Sequence, residues 1–272
     1  MQNTTTKKSY SKIKHTLLLA IKLFAIYLLV CIAAYFFSDQ FIFLPPPATT
    51  PPAHAFFIPT KAQPIQAVYL NHPKARYTLL YSHGNAGDLS RSYPVLKAYF
   101  QKGYSILSYD YNGYGHSKGK VSEKNCYIDA QAAYHYLTQK KKVNPKYIIL
   151  IGHSLGTGIT VDLAQHARAA GMILESPLLS AYRTVTPFSL PLLLFDKFNS
   201  ADKIAHLHLP LLIIHGTHDQ VIAFRNGKKL FQLANSPKFF VKIIGAGHNN
   251  YMNQKYWQAL KRFTDYLSTI RS

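Results

Sequence analysis

Acidic side chains are scarce: 11 Asp and Glu stand against 31 Lys and Arg, a formal charge of +20 at pH 7. That imbalance suits an anionic lipid surface or a nucleic acid. No nucleic-acid motif and no interleaving of basic with aromatic residues occurs, so no nucleic-acid partner is expected and the lipid bilayer is. Cysteine is nearly absent, with only Cys31 and Cys126. A disulfide framework is thereby excluded, and stability must come from an apolar core. Histidine is plentiful, but the trio His215, His218 and Asp219 lacks the Cys or His-x-x-x-His spacing that holds a divalent ion. No metal and no cofactor are expected. There is no internal repeat, and 272 residues with 48% hydrophobic content are enough for one sizeable core.

One long hydrophobic run is present. Leu17 to Phe37 is apolar except for Lys22, which lies near enough to the start to snorkel toward head groups. The run predicts a transmembrane helix or signal anchor. It is long for the apolar part of a cleaved signal peptide, and its small-residue exit at Ala33-Ala34 is followed by more apolar residues. Lys7, Lys8, Lys12 and Lys14 precede it without an acid. The positive-inside rule then keeps the N-terminus cytoplasmic and puts the remainder of the chain on the opposite side, the periplasm in a bacterium. The expected organisation is a basic segment 1–16, a membrane helix 17–37, a proline-rich linker 38–64 that is extended or a strand leading into the domain, and a folded domain 65–272.

Within that domain, strand and helix patterns alternate. Strands are expected at Ile65–Leu70, Tyr77–Ser82, Ser105–Tyr109, Tyr147–Ile151, Gly171–Glu175, Leu211–Ile214 and Phe239–Ile244. Helices are expected near Ser90–Lys102, Glu123–Gln139, after Ser154, and near Ala223–Ala234 and Gln254–Leu267. Such alternation implies an α/β fold, a mostly parallel sheet with helices on both faces.

The chemistry is carried by the loops after the strands. Gly152-His153-Ser154-Leu155-Gly156 follows a β-branched run and opens a helix, the context of a nucleophile elbow. Ser154 is the candidate nucleophile. Gly152 and Gly156 stand where a side chain would strike neighbouring backbone. His153 is expected to point away from Ser154. Asp219 lies in the loop after Leu211–Ile214, and His248 in the loop after Phe239–Ile244. The order Ser154, Asp219, His248 is that of an α/β-hydrolase triad. Serine is a weak nucleophile at neutral pH, so His248 takes its proton and Asp219 orients and stabilises the imidazolium. Glu175, one strand earlier, is a competing acid, and Asp219 is preferred on loop order. The loop His83-Gly84-Asn85-Ala86-Gly87-Asp88 is placed like one that donates to an oxyanion, which assigns the two donors to the backbone N–H groups of Asn85 and Leu155. His83 and His215 read as braces for their loops, Asp88 and Asp110 likewise. Gly156 and Gly158 are expected to let the helix after Ser154 pack closely on the sheet. Residues 176–209 stand where an α/β-hydrolase carries a short cap. The apolar run Pro187–Phe195 within them either forms an acyl tunnel or bilayer contact, or packs as an ordinary cap helix.

Further motifs carry a resemblance: Ser82-His83-Gly84-Asn85-Ala86, Ser108-Tyr109-Asp110-Tyr111, Gly113-Tyr114-Gly115, Ser122-Glu123-Lys124-Asn125, Ser176-Pro177-Leu178, Ile213-Ile214-His215-Gly216-Thr217 and Gly245-Ala246-Gly247-His248-Asn249. With the serine elbow, they resemble the Bem46-like branch of the α/β-hydrolases, and within it the depalmitoylases of the α/β-hydrolase-domain 17 type, over roughly residues 77 to 265. The resemblance implies triad roles for Ser154, Asp219 and His248 and an acyl ester or thioester substrate, with S-acylated protein among the options. Two features depart from that type: a membrane helix stands in place of an acylated cysteine-rich N-terminus, and Gly-His-Ser in place of Gly-Gln-Ser. A serine aminopeptidase or amidase uses the same triad and stays open, as does a non-catalytic lipid-binding role on the same scaffold, which is disfavoured because all three triad candidates are present.

Overall fold

The computed structural model describes residues 3–185 and 196–270. The run Pro187–Phe195, and with it the tunnel reading, lies outside them. The chain separates into two compact units. The first is dominated by α1 (Asn3–Ile42), a helix of 40 residues that runs past both ends of the expected 17–37 span. Its segment Lys12–Ala33 has a mean hydropathy of 2.5. At 1.5 Å per residue, such a segment spans about 33 Å, enough for a hydrocarbon core. Its large side chains are exposed, Phe24 at 60% and Leu29 at 66% among them, the all-round apolar surface of a helix that lipid would surround.

The second unit begins at Phe43 and holds one eight-stranded sheet. The strands are β1 (Phe56–Ile58), β2 (Ile65–Leu70), β3 (Thr78–Ser82), β4 (Ser105–Tyr109), β5 (Ile148–His153), β6 (Gly171–Glu175), β7 (Leu211–Gly216) and β8 (Lys238–Ile243), in spatial order β1-β2-β4-β3-β5-β6-β7-β8. β1 and β2 pair antiparallel, as do β2 and β4, and every other neighbouring pair is parallel. β1 arises inside the proline-rich segment, where three residues alternate too briefly to register as a periodic pattern. Every residue of β3, β4, β6 and β7 is buried, so both faces of the sheet are covered. β8, at the edge, is largely half-exposed.

The helices are α2 (Leu89–Gln101), α3 (Glu123–His135), α4 (Leu155–Ala164), α5 (Ala181–Val185), α6 (Ser200–Ile204), α7 (Phe224–Leu233) and α8 (Gln254–Thr269). Local chemistry sets their starts. Asp88 caps α2 by accepting from Arg91 N at 2.8 Å, and Ser122 caps α3 by accepting from Asn125 N at 3.1 Å. The pattern expected as helix to Gln139 ends its α-helical part at His135 and continues as a π-helical turn over Tyr136–Lys140.

The chain leaves β3 for β4 on one side and returns to β5 on the other. This reversal of strand order opens a crevice at the carboxyl ends of β3 and β5, where open α/β sheets place their sites.

Candidate active site

Ser154 sits between β5 and α4 at φ 55°, ψ −120°, a left-handed backbone that a residue with a Cβ rarely adopts. Two glycines make the turn possible. A Cβ on Gly152 would meet the Gly156 carbonyl and come within 2.5 Å of Thr160 Oγ1, and one on Gly156 would meet the Ser82 carbonyl and lie 2.7 Å from the His83 carbonyl. Gly156 thus lets α4 pack directly against the end of β3. Gly158 faces elsewhere: its Cβ would come 2.7 Å from the Cβ of Phe198, so it accommodates a residue of the 176–209 segment and not the sheet. The elbow is held by Ser154 N–H donating to the Glu175 carbonyl at 2.9 Å and by Thr157 donating to the Ser154 carbonyl from N–H at 3.0 Å and Oγ1 at 2.6 Å.

The loops after β7 and β8 bring the other two residues to it. A Cβ on Gly216 would meet the Ala246 carbonyl, so glycine there lets the two loops touch. They are tied by His218 N–H to the Ala246 carbonyl at 2.9 Å and by Gly245 N–H to Thr217 Oγ1 at 2.9 Å. His248 Nε2 then lies 2.9 Å from Ser154 Oγ, and His248 Nδ1 lies 2.8 Å from Asp219 Oδ2. The other oxygen, Oδ1, accepts from Val221 N–H at 2.9 Å and Ile222 N–H at 2.8 Å. Burial pushes the Asp219 carboxyl up, but hydrogen bonds from His215, His248 and Ile222 N–H outweigh it and hold the group well below the ordinary carboxylate range.

Of the proposed oxyanion donors, Leu155 N–H is the first of α4, one of the amides that no carbonyl of its own helix can reach. The loop bearing Asn85 is pressed against Ser154: a Cβ on Gly84 would stand 3.3 Å from Ser154 Cβ. Asn85 Oδ1 accepts from Tyr114 Oη at 2.6 Å.

His83 and His215 are buried at the ends of their strands. His215 Nε2 donates to the Ile222 carbonyl at 2.9 Å and lies 3.2 Å from Asp219 Oδ2, which stiffens the loop bearing Asp219. His83 Nδ1 donates to the Gly84 carbonyl at 2.8 Å. Asp110 Oδ1 accepts from Leu89 N–H at 2.7 Å. Among the described residues no three His, Cys, Asp or Glu side chains are grouped to hold a metal ion.

His153 does not point away. Its ring lies 5.0 Å from that of His248 and stacks on Tyr251 at 5.4 Å. Nε2 is 3.2 Å from Asn249 Oδ1 and Nδ1 is 3.0 Å from Tyr251 Oη. Burial, and then the neighbouring His248, push its pKa down to about 3, so it stays neutral beside His248. Expected alternation along the strand failed here because the elbow rotates the chain at the next residue.

Glu175 is wholly buried, and its carboxyl is occupied. Oε1 accepts from Tyr99 Oη at 2.6 Å and from Tyr256 Oη, and Oε2 accepts from Tyr251 Oη at 2.8 Å. Tyr251 Oη also lies 3.0 Å from His153 Nδ1, whose ring is 5.0 Å from that of His248. These tyrosines, scattered over 157 residues, carry no sequence signal beyond tyrosine abundance. Burial raises the Glu175 pKa against the lowering effect of the three hydroxyls. A carboxyl raised on folding contributes stability that is present below its unfolded value and lost as pH rises through its folded one. The melting temperature of wild type, relative to Glu175→Gln, is therefore expected to fall as pH rises above the ordinary carboxylate range. A flat difference across parallel thermal melts would remove this account of the cage.

Residues 73–199 match the family model described as serine aminopeptidase, S33. The α/β-hydrolase domain-containing protein 17C of Xenopus laevis is 44% identical over 200 residues, 72% of this chain and 63% of that protein. The human 17B protein is 42% identical over 200 residues, 72% of this chain and 68% of the relative. This chain thus spans less than two thirds of the 17C protein's length. Among solved structures, an esterase of Pyrococcus furiosus superposes with a TM-score of 0.66 at 18% identity, covering 82% of this chain and 99% of that one. Est1E of Butyrivibrio proteoclasticus, bound to ferulic acid, gives 0.64 at 19% identity, covering 80% and 100%. These structures share the fold. A serine elbow, an acid loop and a histidine loop at the carboxyl ends of this sheet, together with identity above 40% to the human 17B protein, place the chain in the α/β-hydrolase domain-containing protein 17 family.

Proposed function

We propose that the chain is a membrane-anchored serine hydrolase that cleaves an acyl ester or thioester through an acyl-enzyme. The observation that carries this reading is the linked contact from Ser154 Oγ to His248 Nε2, 2.9 Å, and from His248 Nδ1 to Asp219 Oδ2, 2.8 Å, built on a strained elbow. His248 Nδ1–H donates to Asp219, which leaves Nε2 free to take the Ser154 proton as Oγ attacks the acyl carbonyl. The backbone N–H groups of Leu155 and Asn85 receive the negative charge on the carbonyl oxygen. Nε2 returns the proton to the leaving thiolate or alkoxide, and an acyl-serine remains. Water, deprotonated by the same nitrogen, then releases the acid. A neutral His153 adds no like charge next to the transient imidazolium.

The apolar helix Lys12–Ala33 supports anchoring, and the lysines before it support a cytoplasmic N-terminus with the hydrolase domain across the bilayer. Long-chain acyl thioesters, S-acylated proteins among them, belong to this substrate class. The family model's description favours a second reading, an aminopeptidase.

The full-length protein in detergent, treated with a fluorophosphonate and digested, is expected to yield one adduct on the peptide containing Ser154. Turnover is expected on p-nitrophenyl acyl esters and acyl thioesters and not on aminoacyl anilides. No adduct, or an adduct elsewhere, overturns the proposal, and anilide turnover above ester turnover favours the aminopeptidase.

A further inference from the structure

The segment Phe43–Thr50, part of the proline-rich stretch 38–64, is fastened along the rim of the site. Pro45, Pro46 and Pro47 have no N–H to offer, so the segment cannot pair as a central strand, and its carbonyls must find donors elsewhere. They find them on the hydrolase domain. The Pro47 carbonyl accepts from Arg91 Nη1 at 3.2 Å, the Thr49 carbonyl from His116 Nε2 at 2.8 Å and the Thr50 carbonyl from Ser90 Oγ at 2.7 Å. Phe43 is 3% exposed, its ring edge-on to that of Phe198 at 5.7 Å. Phe198 in turn packs over Gly158 of the helix that begins at the nucleophile. Phe198 holds a left-handed backbone at φ 51°, with its N–H donating to Glu123 Oε1 at 2.6 Å, so the anchor for Phe43 is itself firmly set.

Between these fastenings, Leu44 N–H donates to Asn85 Oδ1 at 3.0 Å, the same oxygen that accepts from Tyr114 Oη. We propose that this strap is a built part of the active site, and that Leu44 N–H acts as a positioning group, fixing the Asn85 side chain and through it the backbone N–H that faces the oxyanion. The inference rests on the oxyanion role given to Asn85 above. Two donors from separate segments converge on one amide oxygen, so the peptide bearing Asn85 is held from the strap on one side and from the loop after β4 on the other. An oxyanion donor works by standing in place before charge develops, and loss of one hold lets it drift.

The test is a double-mutant cycle on the full-length protein in detergent with a short-chain p-nitrophenyl ester. Leu44→Pro deletes the donated N–H in a stretch already rich in proline. It is expected to lower kcat about tenfold, between the roughly fivefold worth of one hydrogen bond and the roughly hundredfold worth of a lost oxyanion donor, with KM little changed. In an Asn85→Ala background the same change is expected to add nothing, because the acceptor is gone. Should Leu44→Pro not fold, Ser90→Ala combined with His116→Phe unfastens the strap at two surface donors and is expected to lower kcat in the same direction. Wild-type kcat in the foldable variants, additive losses in the cycle, or an effect confined to KM overturns the strap proposal while fluorophosphonate labelling of the wild type still stands. A wild type that neither labels nor turns over overturns both.

Discussion

Asp219→Asn is expected to lower kcat on an activated ester by about 10⁴-fold, with KM within about twofold of wild type. The substitution preserves shape and changes one donor. Oδ1 of Asp219 is committed to two backbone N–H groups, Val221 and Ile222, so the asparagine oxygen must take that place. Its NH₂ then faces His248 Nδ1, where a carboxylate oxygen stands 2.8 Å away in the wild type. A donor there forces Nδ1 to be the unprotonated nitrogen and puts the proton on Nε2, which can no longer receive one from Ser154. Binding of the acyl group is untouched, so the loss belongs to kcat. Steady-state kinetics on the purified variant read it directly, and retention of a tenth or more of the wild-type kcat would assign the acid's role to another group. The pH dependence has a determined sign. Asp219 is held well below the ordinary carboxylate range, and a lowered carboxyl contributes stability that is present above its unfolded value and lost only as pH falls through its folded one. The acid limb of activity in the wild type is accordingly expected to arise from a group other than Asp219.

Gly156→Ala has the second largest expected effect, and it acts on fold and chemistry together. The added Cβ would overlap the Ser82 carbonyl and crowd that of His83, both backbone atoms at the end of a wholly buried strand. Neither can swing aside as a side-chain tip would, so α4 must retreat from β3. Overpacking of this kind costs about 3 kcal/mol, which lowers the melting temperature of a domain this size by roughly 6–12 °C. The helix carries Leu155 N–H at its start, and moving it costs about 10²–10³ in kcat if that group receives the oxyanion. Differential scanning calorimetry and ester turnover on the same preparation separate the two losses. A variant with the wild-type melting temperature would mean that α4 does not pack on β3 as closely as the glycine contacts require.

These two residues differ in how they were legible. Gly156 was legible because the pentapeptide fixes a local geometry: a strand, a sharp left-handed turn and a helix leave no room for side chains two positions from the serine. Asp219 was legible because loop order is a property of the chain, and loops that follow the strands of a parallel sheet collect at one edge. The strands themselves announced their burial, since β3, β5, β6 and β7 are runs of apolar residues, as a sheet covered on both faces demands. β1 was not resolved within the proline-rich segment, because three residues carry too little pattern. The inward turn of His153 was missed because the elbow breaks the alternation on which the expectation rested.

The order of chemistry-bearing loops, the apolar helix at the N-terminus and the α/β alternation are written in the sequence, for they depend on neighbours within a few residues and on side-chain period. Only the tertiary structure decided that Glu175 is caged by tyrosines, that Tyr251 links that cage to His153 across 98 positions, and that Leu44 holds Asn85 across 41. Such contacts join residues whose separation along the chain carries no information about their separation in space. Burial makes them matter, because each polar group brought out of water must find its partner among whatever the packed sheet sets beside it.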